Sequence, residues 1–306
     1  MRDEAERKVD GEAVELGARR CRGAEGVTVR ELLANAVELL GEAAVATPQV
    51  DAELLVGHVL GVKRSELQLE LGRELSPAEL AEIGPLVERR TRREPLAYIL
   101  GEWGFRRLTL KVDRRVLVPR PETEVVAARC LELIAGLDRP RVLDVGTGSG
   151  AIALAIADEH GGARVTAVDV SEDALVVARE NVARTGLPVE LEHCDVRDGL
   201  DGRYDLVVSN PPYVSAAELE LLEPEVRDWE PRIATVGEEQ TELIARAARE
   251  VLEPDGWLVV EIAATAGAEA VRLLGGLGYE AVTVGPDLAG RDRVLEGRWP
   301  TTSRRR

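Results

Sequence analysis

From residue 121 to the C-terminus, short apolar runs rich in β-branched residues alternate with helical stretches, and nothing else in the chain limits its possible folds so strongly. Runs at 141–145, 164–168, 189–192, 204–209, 257–262, 279–284 and 293–297 predict seven strands. Helical patterns near 121–137, 150–159, 172–185, 239–252 and 266–277 fall between most of them. A helix between two strands returns the chain to run in the same direction, so the pattern predicts an α/β, doubly wound sheet. The last two runs are separated only by 285–291, too short for a crossover, and predict an antiparallel hairpin.

The residues before 121 have a different pattern. The segment 27–94 reads as four or five short helices. Thr28-Val29-Arg30-Glu31 is a capping box, Thr47-Pro48 opens a second helix that Gly61 ends, and Ser65 and Ser76-Pro77-Ala78-Glu79 open two more. Between 95 and 120, Pro95, Gly101, Gly104 and Pro119 punctuate β-like runs such as 107–112, which predicts a hairpin linker. Residues 1–26 mix acids and bases without the apolar stretch of a signal peptide and are expected to form a disordered extension, with a short arginine tail over 301–306. A length of 306 residues suits this division into a helical domain at 27–94, a linker at 95–120 and an α/β domain at 121–300.

Composition excludes several functions. With 56 Asp and Glu against 39 Lys and Arg, the net charge of −17 argues against stable binding of nucleic acid or anionic membranes. Cys21, Cys130 and Cys194, like His58, His160 and His193, are too scattered for a disulfide framework, a metal site or a histidine triad. No run is long enough to span a membrane, so the expected compartment is the cytoplasm. Against the acidic background, residues 89–120 hold ten bases and only Glu94, Glu102 and Asp113 as acids. That stretch reads either as a solvated face or as a patch that docks a partner.

Three signals carry chemistry. The first is Val142-Leu143-Asp144-Val145-Gly146-Thr147-Gly148-Ser149-Gly150, an apolar strand entering a glycine loop ahead of a helix. Glycines let the backbone turn sharply and a ligand come close, and the helix start offers free amides. The spacing differs from the dinucleotide fingerprint and lacks the lysine of a phosphate loop, so the ligand need not be a pyrophosphate. The second signal is Asp169, at the end of the next strand, where an acid can accept both hydroxyls of a ribose. Asp195, past the third strand, is either a turn aspartate or an acceptor for an adenine amino group. The third signal is Ser209-Asn210-Pro211-Pro212-Tyr213 after the fourth strand. Two prolines cannot extend a ladder and make a stiff turn with outward carbonyls. Asn210 adds a side-chain oxygen and Tyr213 an aromatic face, a set suited to a planar group bearing NH2.

Together, Gly146–Gly150, Asp169 and Asn210–Tyr213 resemble a class I S-adenosylmethionine-dependent methyltransferase of the N-methylating kind. Leu117-Val118-Pro119-Arg120-Pro121-Glu122-Thr123-Glu124 is similar to the signature of the HemK/PrmC-type release factor glutamine methyltransferases. Asp51-Ala52-Glu53-Leu54-Leu55, His58-Val59-Leu60-Gly61 and Arg93–Tyr98 resemble that family's helical domain and its exit, and Trp229-Glu230-Pro231 and Gly290–Arg293 match near the end. The resemblance spans roughly 28–299. It implies a Rossmann-like seven-stranded methyltransferase sheet preceded by a small helical substrate-docking domain. It also implies methylation of the side-chain N5 of the glutamine in the Gly-Gly-Gln motif of peptide chain release factors by a monomer. S-adenosyl-L-methionine would be the donor and S-adenosyl-L-homocysteine the product. Gly146, Thr147, Gly148, Ser149, Gly150, Asp169, Asp195 and Asn210 would hold the donor. Asn210, Pro211, Pro212 and Tyr213 would hold the glutamine, with Asn210, Pro211 and Tyr213 catalytic.

Several points stay open. Trp103 and Phe105 either approach the donor or pack in the core, and Thr123 and Glu124 either serve the site or only start a helix. Ala263 stands where the family usually has Gly, a usual Gln a few residues on is absent, and Gly237-Glu238-Glu239-Gln240 replaces a usual Gly-Gly-Asp-Gly, so the outer substrate wall is undefined. Competing readings are an N6-adenine DNA methyltransferase, a glutamine methyltransferase of another protein, and a non-catalytic donor-binding adaptor. Thirteen acids against four arginines between Asn210 and Glu261 weigh against DNA.

Overall fold

The structure, a computed structural model, describes residues 26–237 and 239–301. The expectations for residues 1–25, Cys21, Glu238 and the arginines of the C-terminal tail lie outside the described residues. The chain divides after Leu100 into two compact units.

The first unit is helical: α1 (Val29–Glu42), α2 (Pro48–Leu60), α3 (Leu67–Glu70), α4 (Pro77–Thr91) and α5 (Leu96–Leu100). Local chemistry sets most of its boundaries. Thr28 and Glu31 close a reciprocal capping box on α1, and Ser76 and Glu79 do the same on α4. Gly61 ends α2 in the left-handed conformation. Leu33, Leu40, Leu55, Val56, Ile83 and Val87 bury their side chains between the helices. An ion pair lies inside this core, Arg90 to Asp51 at 2.6 Å, with both side chains almost fully covered. Residues 96–100 correct the β-like reading of the linker's start. They form a helical turn whose Leu96, Ala97, Tyr98 and Ile99 are all buried.

The second unit opens with a true hairpin, β1 (Glu102–Phe105) against β2 (Leu108–Lys111), in the register Trp103 to Leu110. There follow α6 (Pro121–Ile134), β3 (Arg141–Val145), α7 (Ala151–Glu159), β4 (Arg164–Asp169), α8 (Glu172–Thr185), β5 (Val189–His193) and β6 (Tyr204–Ser209). The short helices α9 (Ala216–Leu219) and α10 (Arg232–Thr235) precede α11 (Gln240–Val251), β7 (Leu252–Glu261), α12 (Gly267–Leu277), β8 (Glu280–Pro286) and β9 (Asp292–Arg298). The seven-stranded sheet has the order β5-β4-β3-β6-β7-β9-β8. Every pairing is parallel except those of β9, which runs antiparallel to both β7 and β8. The expected terminal hairpin is present, and its second strand inserts beside β7 rather than at the edge.

Strand alternation builds two cores, one on each sheet face. Leu206, Val208 and Val259 join α6 and α7 on one face, while Val207, Leu258 and Val260 join α11 and α12 on the other. The chain winds outward from β3 through β4 to β5, then crosses back to β6 on the other side of β3. The carboxyl ends of β3 and β6 therefore flank a topological switch point, where open α/β sheets bind ligands.

Candidate active site

A cavity of about 300 Å³ opens above those strand ends. Its lining takes in Gly146–Ser149 after β3, Asp169 after β4, Asp195 after β5, and Asn210, Pro211 and Pro212 after β6. Residues from neighbouring strands but distant in sequence thus meet at one edge of the sheet. Arg115–Leu117 and Arg120 form one flank, and Ile233, Val236, Gln240 and Ile244 form another.

The glycine loop takes its shape from a left-handed backbone at Gly146, Gly148 and Gly150, with φ of 73°, 57° and 84°. A Cβ added at Gly146 or Gly148 would meet no atom within 4 Å, so this face of the loop is open. The loop is fastened beneath. The amides of Gly146 and Thr147 donate to the Val168 carbonyl at 2.8 and 3.0 Å. The Thr147 hydroxyl donates to Asp144 at 2.7 Å. Asn181, fully buried on α8, donates to the Ser149 carbonyl at 2.9 Å and accepts from the Lys111 amide at 2.7 Å, which ties loop to hairpin. Burial raises the Asp144 carboxyl from 3.8 to about 7, opposed by the bonds from Thr147 and Ala153. Its Oδ1 has no hydrogen-bond partner.

Asp169 accepts the Gly148 amide on Oδ2 and the Ser171 amide on Oδ1, each at 2.9 Å. Each oxygen keeps a lone pair beyond these bonds, and the carboxylate cannot rotate away. Burial raises its pKa, against the pull of those amides. Ser171 caps α8 through the Ala174 amide, so Asp169 is not needed for that task. Asp195 also lines the cavity, but Arg197 binds it at 2.6 Å and holds its carboxyl down at about 2. It caps the following turn as well, which is the turn role read from the sequence.

Asn210 is oriented by its own amide. Its Nδ2 donates to the Thr123 hydroxyl at 3.0 Å, which leaves Oδ1 as the outward acceptor. The Thr123 hydroxyl in turn donates to Glu261 Oε2 at 2.7 Å. Thr123 is therefore more than a helix start, and Glu261, 1% exposed at the end of β7, is a polar residue the sequence did not single out. Burial raises the Glu261 carboxyl, against hydrogen bonds from Thr123 and Tyr213. Tyr213 is not in the cavity lining. Its hydroxyl donates to Glu261 Oε1 at 3.2 Å and receives Arg293 Nη1 at 3.4 Å. Burial first, and then the Glu261 charge, push that hydroxyl up to about 12. Behind the turn, Gly237 lies so close that a Cβ would stand 2.8 Å from the Pro212 carbonyl, which fixes this departure segment at glycine. Of the other departures, Gln240 lines the cavity and Ala263 does not.

The basic stretch is not an open patch. Arg89, Arg90 and Arg92 pair with Glu94, Asp51 and Glu88. Arg106, Arg107, Lys111, Arg115 and Arg120 pair with Glu159, Asp158, Glu180, Asp113 and Glu230. Arg114 lies 5.5 Å over the Trp229 ring. The sequence count missed this because the neutralising acids mostly sit far along the chain. Phe105, 1% exposed, is core; Trp103 is half-buried on β1, and neither lines the cavity. Glu124 accepts the Arg106 amide and so secures the hairpin.

Among the described residues, no cluster of His, Cys, Asp or Glu could hold a metal ion, and no helix is long and apolar enough to cross a membrane.

Comparison with known proteins adds two family matches, the PrmC N-terminal domain over residues 31–101 and the methyltransferase small domain over 127–224. The release factor glutamine methyltransferase of Deinococcus radiodurans is 42% identical over 88% of this chain and 98% of its own length. That of Chlorobaculum tepidum is 42% identical over 88% and 96%, and that of Streptomyces coelicolor 40% over 87% and 96%. Among solved structures, the hMettl16 catalytic domain in complex with MAT2A 3'UTR hairpin 1 superposes with a TM-score of 0.52 at 18% identity, over 72% of this chain and 82% of that one. This last likeness is one of fold.

Proposed function

The chain belongs to the release factor glutamine methyltransferase family, and from that membership we propose its reaction in detail. It methylates the side-chain N5 of the glutamine in the Gly-Gly-Gln motif of peptide chain release factors, with S-adenosyl-L-methionine as donor. It acts as a cytoplasmic monomer, and the helices up to about residue 94 dock the protein substrate.

The cavity fits such a donor. In the loop of Gly146, Thr147, Gly148, Ser149 and Gly150, the open faces of Gly146 and Gly148 admit a ligand close to the backbone. Asp169 would accept from the two ribose hydroxyls and Asp195 from the adenine amino group. The donor, when bound, supplies an electrophilic methyl group on a sulfonium.

The chain's own task is to hold an amide nitrogen, a weak nucleophile, in line with that methyl. Asn210 Oδ1 and the Pro211 carbonyl accept the two N–H bonds of the glutamine amide, and the stiff Pro211-Pro212 turn keeps them in place. Two fixed acceptors favour the positive charge that grows on nitrogen. The methylated nitrogen is acidic, so water takes its proton and no side-chain base is required. Tyr213 serves from behind this turn, as a donor to Glu261.

One observation carries the proposal. The 3.0 Å bond from Asn210 Nδ2 to Thr123 commits the amide to present its oxygen, the atom an N–H substrate needs. The test is incubation with donor and a release factor, followed by peptide mass spectrometry. The expected product carries one added methyl on the Gly-Gly-Gln glutamine. N210A should lower turnover far more than donor affinity. Methylation at another residue, or none with intact donor binding, refutes the proposal.

A further inference from the structure

We propose that Glu261, acting through Thr123, is the positioning residue that sets which end of the Asn210 amide faces the substrate. The inference rests on the function proposed above and adds the group that enforces it.

The argument is one of hydrogen-bond direction. A hydroxyl has a single hydrogen. Thr123 spends it on Glu261 Oε2, at 2.7 Å. Its oxygen can then only accept, so Asn210 must turn its NH2 toward it, at 3.0 Å. Glu261 is kept as a pure acceptor from its other side, where the Tyr213 hydroxyl donates to Oε1 at 3.2 Å. The Arg293 guanidinium stands behind that hydroxyl at 3.4 Å and is itself held by the Ile262 carbonyl at 2.9 Å. Two donors thus point at one carboxylate, one on each oxygen, and the polarity of the whole chain follows. Glu261 and Thr123 are 1% and 4% exposed, so water does not offer the Asn210 amide an alternative partner on that side.

A neutral amide at position 261 reverses the logic at nearly constant shape. In E261Q the new NH2 donates to Thr123, whose hydroxyl then donates to Asn210 Oδ1. The Asn210 amide turns over and presents NH2 to a substrate that also presents NH2. The expected loss in kcat is about 100-fold, the scale of a mispositioned reactive group. Donor affinity and the KM for the release factor should stay within about threefold, because neither contact is made by Glu261. T123V should match E261Q, T123S should recover most of what T123V loses, and the double variant E261Q/T123V should be no worse than either single one.

A second readout needs no substrate. The side-chain NH2 pair of Asn210, assigned by its disappearance in N210D, should appear at the same position in a 15N correlation spectrum of the wild type and T123S. It should move in E261Q and T123V. An unmoved pair in E261Q and T123V, or a kcat within about threefold of wild type in folded E261Q, overturns the proposal. Wild-type enzyme that leaves release factors unmethylated, with the pair shifting as expected, refutes the proposed substrate and leaves the positioning role standing.

Discussion

Asp169 offers the most direct test of donor recognition. Its carboxylate is held by two backbone amides, from Gly148 and Ser171, at 2.9 Å each. Those bonds leave one lone pair per oxygen for a ribose. A hydrogen bond to a charged acceptor contributes about 1.5–3 kcal/mol, so losing both ribose contacts in D169A should weaken donor binding about 10²–10⁴-fold. D169N discriminates further. One side-chain oxygen becomes NH2 and faces a backbone N–H instead of accepting from it. One ribose contact is lost, for about 10–100-fold in affinity, and one buried amide is left unpaired, for about 1–3 kcal/mol of stability. Titration calorimetry with donor and product, run beside thermal melts, reads both effects. If D169N melts lower yet binds the donor within about twofold of wild type, Asp169 is a strut between two loops, and the ribose assignment is wrong.

Other outcomes follow from the same contacts. Asp144 is buried with its pKa raised from 3.8 to about 7, so the folded protein keeps a proton that the unfolded chain has already lost. Its contribution to stability falls as pH rises through that window and is level above it. D144N should therefore gain about 3 kcal/mol on wild type between pH 5 and pH 8 in urea unfolding, and parallel pH profiles would refute this. In the helical unit, D51A removes the carboxylate that accepts from the buried Arg90 at 2.6 Å and should cost about 1.5–3 kcal/mol in urea unfolding, much of it recovered in D51L/R90M. In the glycine loop, G150A should destabilise more than G148A. Both backbones are left-handed, but only at Gly150 would the new Cβ press on a neighbour, Leu154 Cδ1 at 3.2 Å. Equal melting temperatures for the two variants would contradict this reading.

What could be read in advance was local. Seven strands and their helices follow from apolar periodicity, and the Gly146–Gly150 loop, Asp169 and the Asn210–Tyr213 turn follow from residue types at strand ends. The misses are matters of long range. Glu261 looked like one more acid in an acidic stretch, because its partner Thr123 lies 138 residues earlier. Asn181 carries no signal in the sequence, yet it fastens the Gly146–Gly150 loop to the hairpin. Tyr213 was read for its ring, while its hydroxyl is what the structure engages. The ten bases of 89–120 suggested a charged face, and acids such as Glu159, Glu180 and Glu230 neutralise much of it from distant elements. Periodicity and turn chemistry describe neighbours along the chain, whereas a hydrogen-bond partner is chosen by the sheet order.

The sheet order also bears on how the enzyme comes into being on the ribosome. Every residue lining the cavity lies between Arg115 and Ile244, while Glu261 and Arg293 come from β7 and β9. A chain made from its N-terminus therefore releases every residue of the cavity wall before Glu261 and Arg293. A product ending ahead of β7 would carry the sequence of the whole cavity wall, yet lack Leu258 and Val260, which pack with Ile244 and Ala245 behind it. Under the roles proposed above, the cavity and the hydrogen-bond chain behind Asn210 come together only once β7 and β9 have joined the sheet.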